Sequence, residues 1–170
     1  MSALDLVSQA GTSIWLDDLS RDRLDSGSLA TLIASSCVVG VTTNPSIFSA
    51  AISKSDKYLA DIKELSSGGA TVDDIVTRLT TDDVRAACDL FLDTYHRTQG
   101  IDGRVSIEVE PNLAYNTEGT VARALELHSI VNRPNVLIKV PATLEGLPAI
   151  EELTARGISI NVTLIFSVSR

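Results

Sequence analysis

Cysteine is scarce. The 170 residues contain two, Cys37 and Cys88. Two isolated cysteines make neither a disulfide framework nor a zinc site. Both sit among apolar residues, where buried, reduced thiols are expected. Basic residues are outnumbered, with 14 Lys and Arg against 22 Asp and Glu and a net charge of −8. A nucleic-acid partner is disfavoured, because phosphate backbones need clustered Lys and Arg. No apolar run approaches the roughly 18 residues of a membrane span. The stretch Met1–Ala10 carries Asp5 and lacks the basic region and long apolar core of a signal peptide. Low-complexity linkers and close internal repeats are also missing. These absences leave a cytoplasmic protein, read as a single domain over residues 1–170. With 44% hydrophobic and 21% charged residues, the composition is that of an ordinary globular chain.

Five short runs rich in Val and Ile read as strands. They are Ser13–Asp17, Val38–Asn44, Arg104–Glu110, Asn135–Pro141 and Ile158–Phe166. Helical patterns separate them at Leu29–Ser36, Ile52–Leu65, Thr71–Thr98, Val121–Val131 and Leu147–Ala155. Thr71 and Thr81, each followed by aspartates, suit helix N-caps, and Gly157 suits a helix end. Ser66–Ala70 reads as a loop inside the domain. Strands alternating with helices imply parallel pairing and an α/β fold.

A strand buried on both faces is apolar throughout. These strands are apolar on one face only. Val105, Ile107 and Val109 oppose Ser106, Glu108 and Glu110. Val136, Ile138 and Val140 oppose Leu137 and Lys139, and Ile160 and Val162 oppose Asn161 and Thr163. The second faces must share one interior that holds Asp17, Thr42, Asn44, Glu108, Lys139, Asn161 and Thr163. An open sheet covered on both sides by helices has no place for so many polar groups. A closed (β/α)₈ barrel has one, at the C-terminal ends of its strands.

Lys139 lies in VLIKVP, between aliphatic neighbours. Apolar surroundings disfavour an ammonium, and a neutral amine attacks carbonyls to form a Schiff base. The bland alternative is a lysine guarding a sheet edge. Glu108 and Asp17 would supply the proton transfers of an aldol reaction run through an imine. Their bland alternatives are a counter-ion for Lys139 and a helix cap near Ser20, the latter open to Asp17 or Asp18. A cation site made by Asp17, Glu108 and Glu110 is a further alternative, opposed by the adjacent lysine and by the absence of histidine from the strands. Asn44, Asn161 and Thr163 offer hydrogen bonds of the kind that hold sugar hydroxyls. His96 and His128 read as surface residues, and Cys88 and Trp15 as core.

At these residues the sequence resembles the transaldolase family, and within it the longer, actinobacterial-like form. The matching segments are IWLDDLSR (14–21), GVTTNPSIF (40–48), SIEVEP (106–111), VLIKVPAT (136–143) and ISINVTLIFS (158–167). The resemblance implies a (β/α)₈ TIM barrel of the class I aldolase type with no metal or organic cofactor. Its substrates would be sugar phosphates. It would transfer a dihydroxyacetone unit from sedoheptulose 7-phosphate to glyceraldehyde 3-phosphate, in the non-oxidative pentose phosphate pathway. It implies Lys139 as the Schiff-base lysine, Glu108 working through a bound water, and Asp17 taking and returning the proton of the cleaved carbon's hydroxyl. Asn44 and Asn161 would contact the dihydroxyacetone part, and Thr163 would help place the water. Two other readings remain: a dihydroxyacetone-using aldolase of the same superfamily, and a non-catalytic remnant or assembly module. A full barrel takes about 250 residues, so only about the first five strands are expected here. The serine and arginine groups that hold phosphate are not assignable. The first and fifth strands would then be open edges that invite self-association.

Overall fold

The computed structural model describes residues 2–169. Its strands are β1 (Ile14–Leu16), β2 (Val38–Thr42), β3 (Arg104–Glu108), β4 (Val136–Pro141) and β5 (Ile160–Thr163). Its helices are α1 (Ala3–Gln9), α2 (Arg21–Asp25), α3 (Ser28–Ser35), α4 (Pro45–Lys54), α5 (Leu59–Ser67), α6 (Val72–Arg97), α7 (Thr117–Val131) and α8 (Gly146–Ala155). The sheet order is β1-β2-β3-β4-β5, and every pair is parallel.

That order decides between the two α/β architectures. Crossovers between parallel strands are right-handed, so an order that never reverses sends every connecting helix to the same side. A doubly wound sheet reverses at a switch point and is covered on both faces. Here α6 packs on β3, α7 on β4 and α8 on β5, all against the apolar face. The sheet curls into five consecutive units of a (β/α)₈ barrel, with the helix-free face inside. The core lies between sheet and helices, where Val41, Val105, Ile107, Ile138 and Val140 meet Val84, Phe91, Leu127 and Leu153.

Several expectations are corrected. The helix expected over Ile52–Leu65 is two helices, α4 and α5, separated by a 3₁₀ turn at Asp56–Tyr58. α4 begins seven residues earlier than expected, because Asn44 caps it and Pro45 occupies its first turn, where a missing N–H costs nothing. Thr71 does cap α6, in a capping box with Asp74. Thr81 does not start a helix. It is fully buried inside α6, and its hydroxyl donates to the Thr77 carbonyl at 2.7 Å, so it needs no cap geometry. β5 ends at Thr163, short of Phe166, because Leu164 turns into the left-handed region at φ 66°. Cys88 is buried and its thiol is pushed up to about 12, chiefly by burial. Cys37 is only half-buried, and its thiol donates to Asp5 Oδ1 on α1 at 3.2 Å. Trp15 is likewise half-buried rather than core. Its indole crosses Gly40 on the inner face, so closely that a Cβ there would meet the ring at 2.5 Å.

The turn entering β3 is held by Gly103, at φ 76°. Its amide donates to the Val39 carbonyl at 2.7 Å, and a Cβ would stand 2.3 Å from the Tyr95 backbone nitrogen. Neither the backbone of α6 nor that of β2 can yield. Gly103→Ala should therefore lower stability by about 2 kcal/mol or more, read as a shift of the urea midpoint at constant slope. An unshifted midpoint would show that the turn rearranges at little cost.

Candidate active site

The register of the sheet assembles the inner face in rows. Thr42, Ser106 and Leu137 are neighbours across β2, β3 and β4. One step towards the C-terminal ends, Glu108, Lys139 and Asn161 are neighbours across β3, β4 and β5. Thr163 is two residues beyond Asn161, on the same face of β5. Asp17 directly follows β1, and Asn44 follows β2 by two residues. All six expected residues thus stand at or near the strand C-termini, where a barrel of this kind carries its chemistry.

Lys139 Nζ lies 3.3 Å from Glu108 Oε2, and the two side chains are 13% and 17% exposed. Nζ also donates to the Thr43 carbonyl at 3.4 Å. Burial lifts the Glu108 carboxyl above its ordinary value; the Lys139 charge and hydrogen bond oppose that rise, and the Asp17 charge adds to it. Asp17 is exposed, and among the described residues its carboxylate makes no hydrogen bond or ion pair. Asp18 is different. Its carboxylate is tied to Arg23, with Nε at 3.0 Å. Ser20 itself caps α2 by accepting from the Arg23 amide. The two aspartates are thereby separated: Asp18 belongs to α2, and Asp17 is the one whose charge Glu108 senses.

Asn44 has a double assignment. Its Oδ1 accepts from the Ile47 amide at 2.9 Å as the α4 cap, which leaves Nδ2 as the group available to a ligand. Asn161 is the converse. Its Nδ2 donates to Ser106 Oγ at 3.1 Å, and its Oδ1 is the available group. Ser106 Oγ in turn donates to Thr42 Oγ1 at 3.0 Å, so a hydroxyl bridge crosses the interior beneath Lys139. Ser106 was not singled out from the sequence. The signal in the sequence was its place between Val105 and Ile107, in the same alternation as Glu108; the structure buries it fully. Thr43 was also missed. It is fully buried, its hydroxyl donates to the Ser106 carbonyl at 2.7 Å, and its own carbonyl receives Lys139.

The set Asp17, Glu108 and Glu110 is not assembled for a cation. Glu110 is forked onto Arg123, which also donates to Thr77 Oγ1 at 2.7 Å. Among the described residues no group of three or more His, Cys, Asp and Glu is placed to hold a metal. A cavity of about 310 Å³ opens between α4, α6 and α7. Its lining includes Asn44 and Glu108 but not Lys139, so it flanks the row of catalytic candidates from the helix side.

Fold and site together define an α/β barrel carrying a lysine–carboxylate pair at its strand ends. The chain belongs to the transaldolase/fructose-6-phosphate aldolase family, whose model matches residues 14–170. It is 59% identical over 167 residues to the transaldolase of Mycolicibacterium smegmatis, covering 98% of this chain and 45% of that protein. It is 58% identical over 167 residues to the transaldolase of Mycobacterium tuberculosis strain H37Rv, with the same coverage. Identity to the transaldolase of Saccharopolyspora erythraea is 56% over 169 residues, 99% of this chain and 46% of that one. The chain thus spans somewhat under half the length of these curated relatives. Among the described residues no helix is long and apolar enough to cross a membrane.

The electrostatics of the pair are open to a direct test. A carboxyl raised by burial holds its proton more tightly in the folded chain than in the unfolded one. Its contribution to stability is therefore full below the ordinary value near ~4.3 and is lost as pH rises through the folded value. Lys139→Met removes the cation that opposes the rise, so the Glu108 midpoint should move further up in a carboxyl-carbon NMR titration. A midpoint that stays in place would mean the two groups do not interact.

Proposed function

We propose that these residues perform the transaldolase reaction: Schiff-base transfer of a dihydroxyacetone unit from sedoheptulose 7-phosphate to glyceraldehyde 3-phosphate. The observation that carries the reading is the Lys139–Glu108 pair on the helix-free face, with the Asp17 charge acting on Glu108. The relatives named above are transaldolases, which favours transfer over simple aldol cleavage.

The chemistry follows from the placement. An ammonium is no nucleophile, so Lys139 must first lose a proton, and the adjoining Glu108 carboxylate accepts it. The amine adds to the ketone carbonyl and gives a carbinolamine. Glu108, through a bound water, returns the proton to the leaving hydroxyl, and water departs to leave the imine. Asp17 removes the proton of the hydroxyl on the carbon beyond the bond to be cleaved. That carbon leaves as an aldehyde, and the electron pair of the broken bond becomes the enamine on Lys139. The acceptor aldehyde then adds to the enamine, Asp17 returns its proton, and hydrolysis frees the product. Asn44 Nδ2 and Asn161 Oδ1 are a donor and an acceptor for the hydroxyls of the retained unit, and Thr163 helps place the water. A cytoplasmic setting fits the two free thiols.

In a chain that retains a closed site, borohydride reduction in the presence of fructose 6-phosphate should attach a sugar-derived mass to the tryptic peptide containing Lys139. Lys139→Arg should abolish the label, because a guanidinium stays protonated. Glu108→Gln should slow labelling by about 10²-fold or more. A label on another lysine would overturn the assignment. Comparing product formation with and without an acceptor aldehyde separates transfer from simple aldol cleavage.

The sheet in this chain ends at β1 on one side and β5 on the other. Beyond β5, Leu164, Ile165, Phe166 and Val168 are exposed, the last two at 86% and 107%. Open edges beside exposed apolar side chains favour pairing with another chain. The 170-residue chain on its own is expected to self-associate and to lack activity, which light scattering and a coupled assay would report. A soluble, active monomer of this length would show that five strands suffice.

A further inference from the structure

Asp17 is weakly placed by its own strand. β1 has three residues, and its register with β2 changes between Ile14 and Trp15. A three-residue strand with an irregular ladder does not hold the residue after its end to a fraction of an ångström. The chain is fixed again only a few residues later, and the fixing is elaborate. Leu19 is fully buried. The Arg21 amide donates to Tyr58 Oη at 2.8 Å, and Tyr58 Oη donates to Asp83 Oδ2 at 2.7 Å. Arg21 Nε donates to Asp83 Oδ1 at 3.0 Å, and its guanidinium lies 4.7 Å above the Tyr58 ring before reaching Asp61. The Tyr58 phenol is wholly buried and Asp83 nearly so, with a side chain 3% exposed.

This network lies in the helix layer, between α2, the 3₁₀ turn and α6, and touches none of the groups in the catalytic row. An ion pair in such a place is a poor source of stability, because desolvation of both charges offsets their attraction. What it supplies is geometry. Both Asp83 oxygens and both hydrogen-bonding roles of the phenol are taken, so the Arg21 backbone has one position. Asp17 hangs between that position and the end of β1. We propose that Tyr58, Arg21 and Asp83 are positioning residues that set the β1–α2 loop, and with it the Asp17 carboxylate, against Glu108 and Lys139. The inference rests on the assignment of Asp17 as the base for bond cleavage.

The network acts on cleavage and not on imine formation, so the two steps should separate. In a catalytically competent protein carrying this sequence, Tyr58→Phe keeps the ring and its stack but loses both hydrogen bonds. Turnover should fall about tenfold with KM changed less than about twofold. Borohydride trapping should go at the wild-type rate, with a larger share of uncleaved six-carbon adduct on Lys139. Arg21→Lys keeps the charge and the backbone amide but loses the fork and the stack, and should shift the adduct in the same direction; it decides the matter if Tyr58→Phe does not fold. Asp17→Asn is the reference and should leave the adduct almost wholly uncleaved. If Asp17→Asn does so while a folded Tyr58→Phe or Arg21→Lys cleaves as wild type, with only a lowered Tm, the positioning role is overturned. If Asp17→Asn itself cleaves normally, the Asp17 assignment falls and the positioning role falls with it.

Discussion

Glu108 and Lys139 are register partners across β3 and β4, and their 3.3 Å contact is the point to which the rest of the inner face is fitted. Two opposite charges, each less than a fifth exposed, gain little stability from each other once desolvation is counted. Their placement instead restricts the surroundings. They need a face without helices, flanking backbone that offers carbonyls, and neighbours that satisfy the remaining polar groups. The sheet meets all three. The Thr43 carbonyl takes a second contact from Lys139, and the chain of Asn161, Ser106 and Thr42 side chains fills the layer below.

The one-sided helix layer makes that face possible. Because the strand order never reverses, every crossover lands on the apolar side, and Phe91, Leu127 and Leu153 seal it. The same layer carries the devices that aim the loops. Asn44 closes β2 and opens α4 with a single amide. Arg123 forks onto Glu110 just past the end of β3. Arg21 and Asp83 tie the loop after β1 to α6. Rigid elements bear the candidate groups, and polar contacts in the helix layer hold the chain where it leaves the strands.

This division accounts for the long segment between β2 and β3. A crossover needs one helix, yet here there are α4, a 3₁₀ turn, α5 and the 26-residue α6. The added pieces supply Tyr58 and Asp61, and α6 supplies Asp83. An excursion that adds no side chain to the Glu108–Lys139–Asn161 row thus ties down the chain a few residues beyond β1, at Arg21.

The alternation of apolar and polar residues was legible without coordinates, because it is a local, period-two property that any half-buried strand must show. It sufficed to place Asp17, Glu108, Lys139, Asn161 and Thr163 on one face and to favour a barrel over an open sheet. Asn44 could be singled out as a candidate, but not as the cap that takes up its oxygen. Thr81 had a cap's neighbours, and only packing against the core showed the helix running through it. The contacts of Ser106 and Thr43 and the Arg21–Tyr58–Asp83 network were out of reach, since the partners lie between 25 and 96 residues apart along the chain. The choice of Asp17 over Asp18 rests on alternation and the match to the family's first strand, and the ion pair that engages Asp18 with Arg23 is consistent with it. Periodicity tells which way a side chain points. Which group it then meets depends on strand register and helix packing, and those exist only once distant segments have come together.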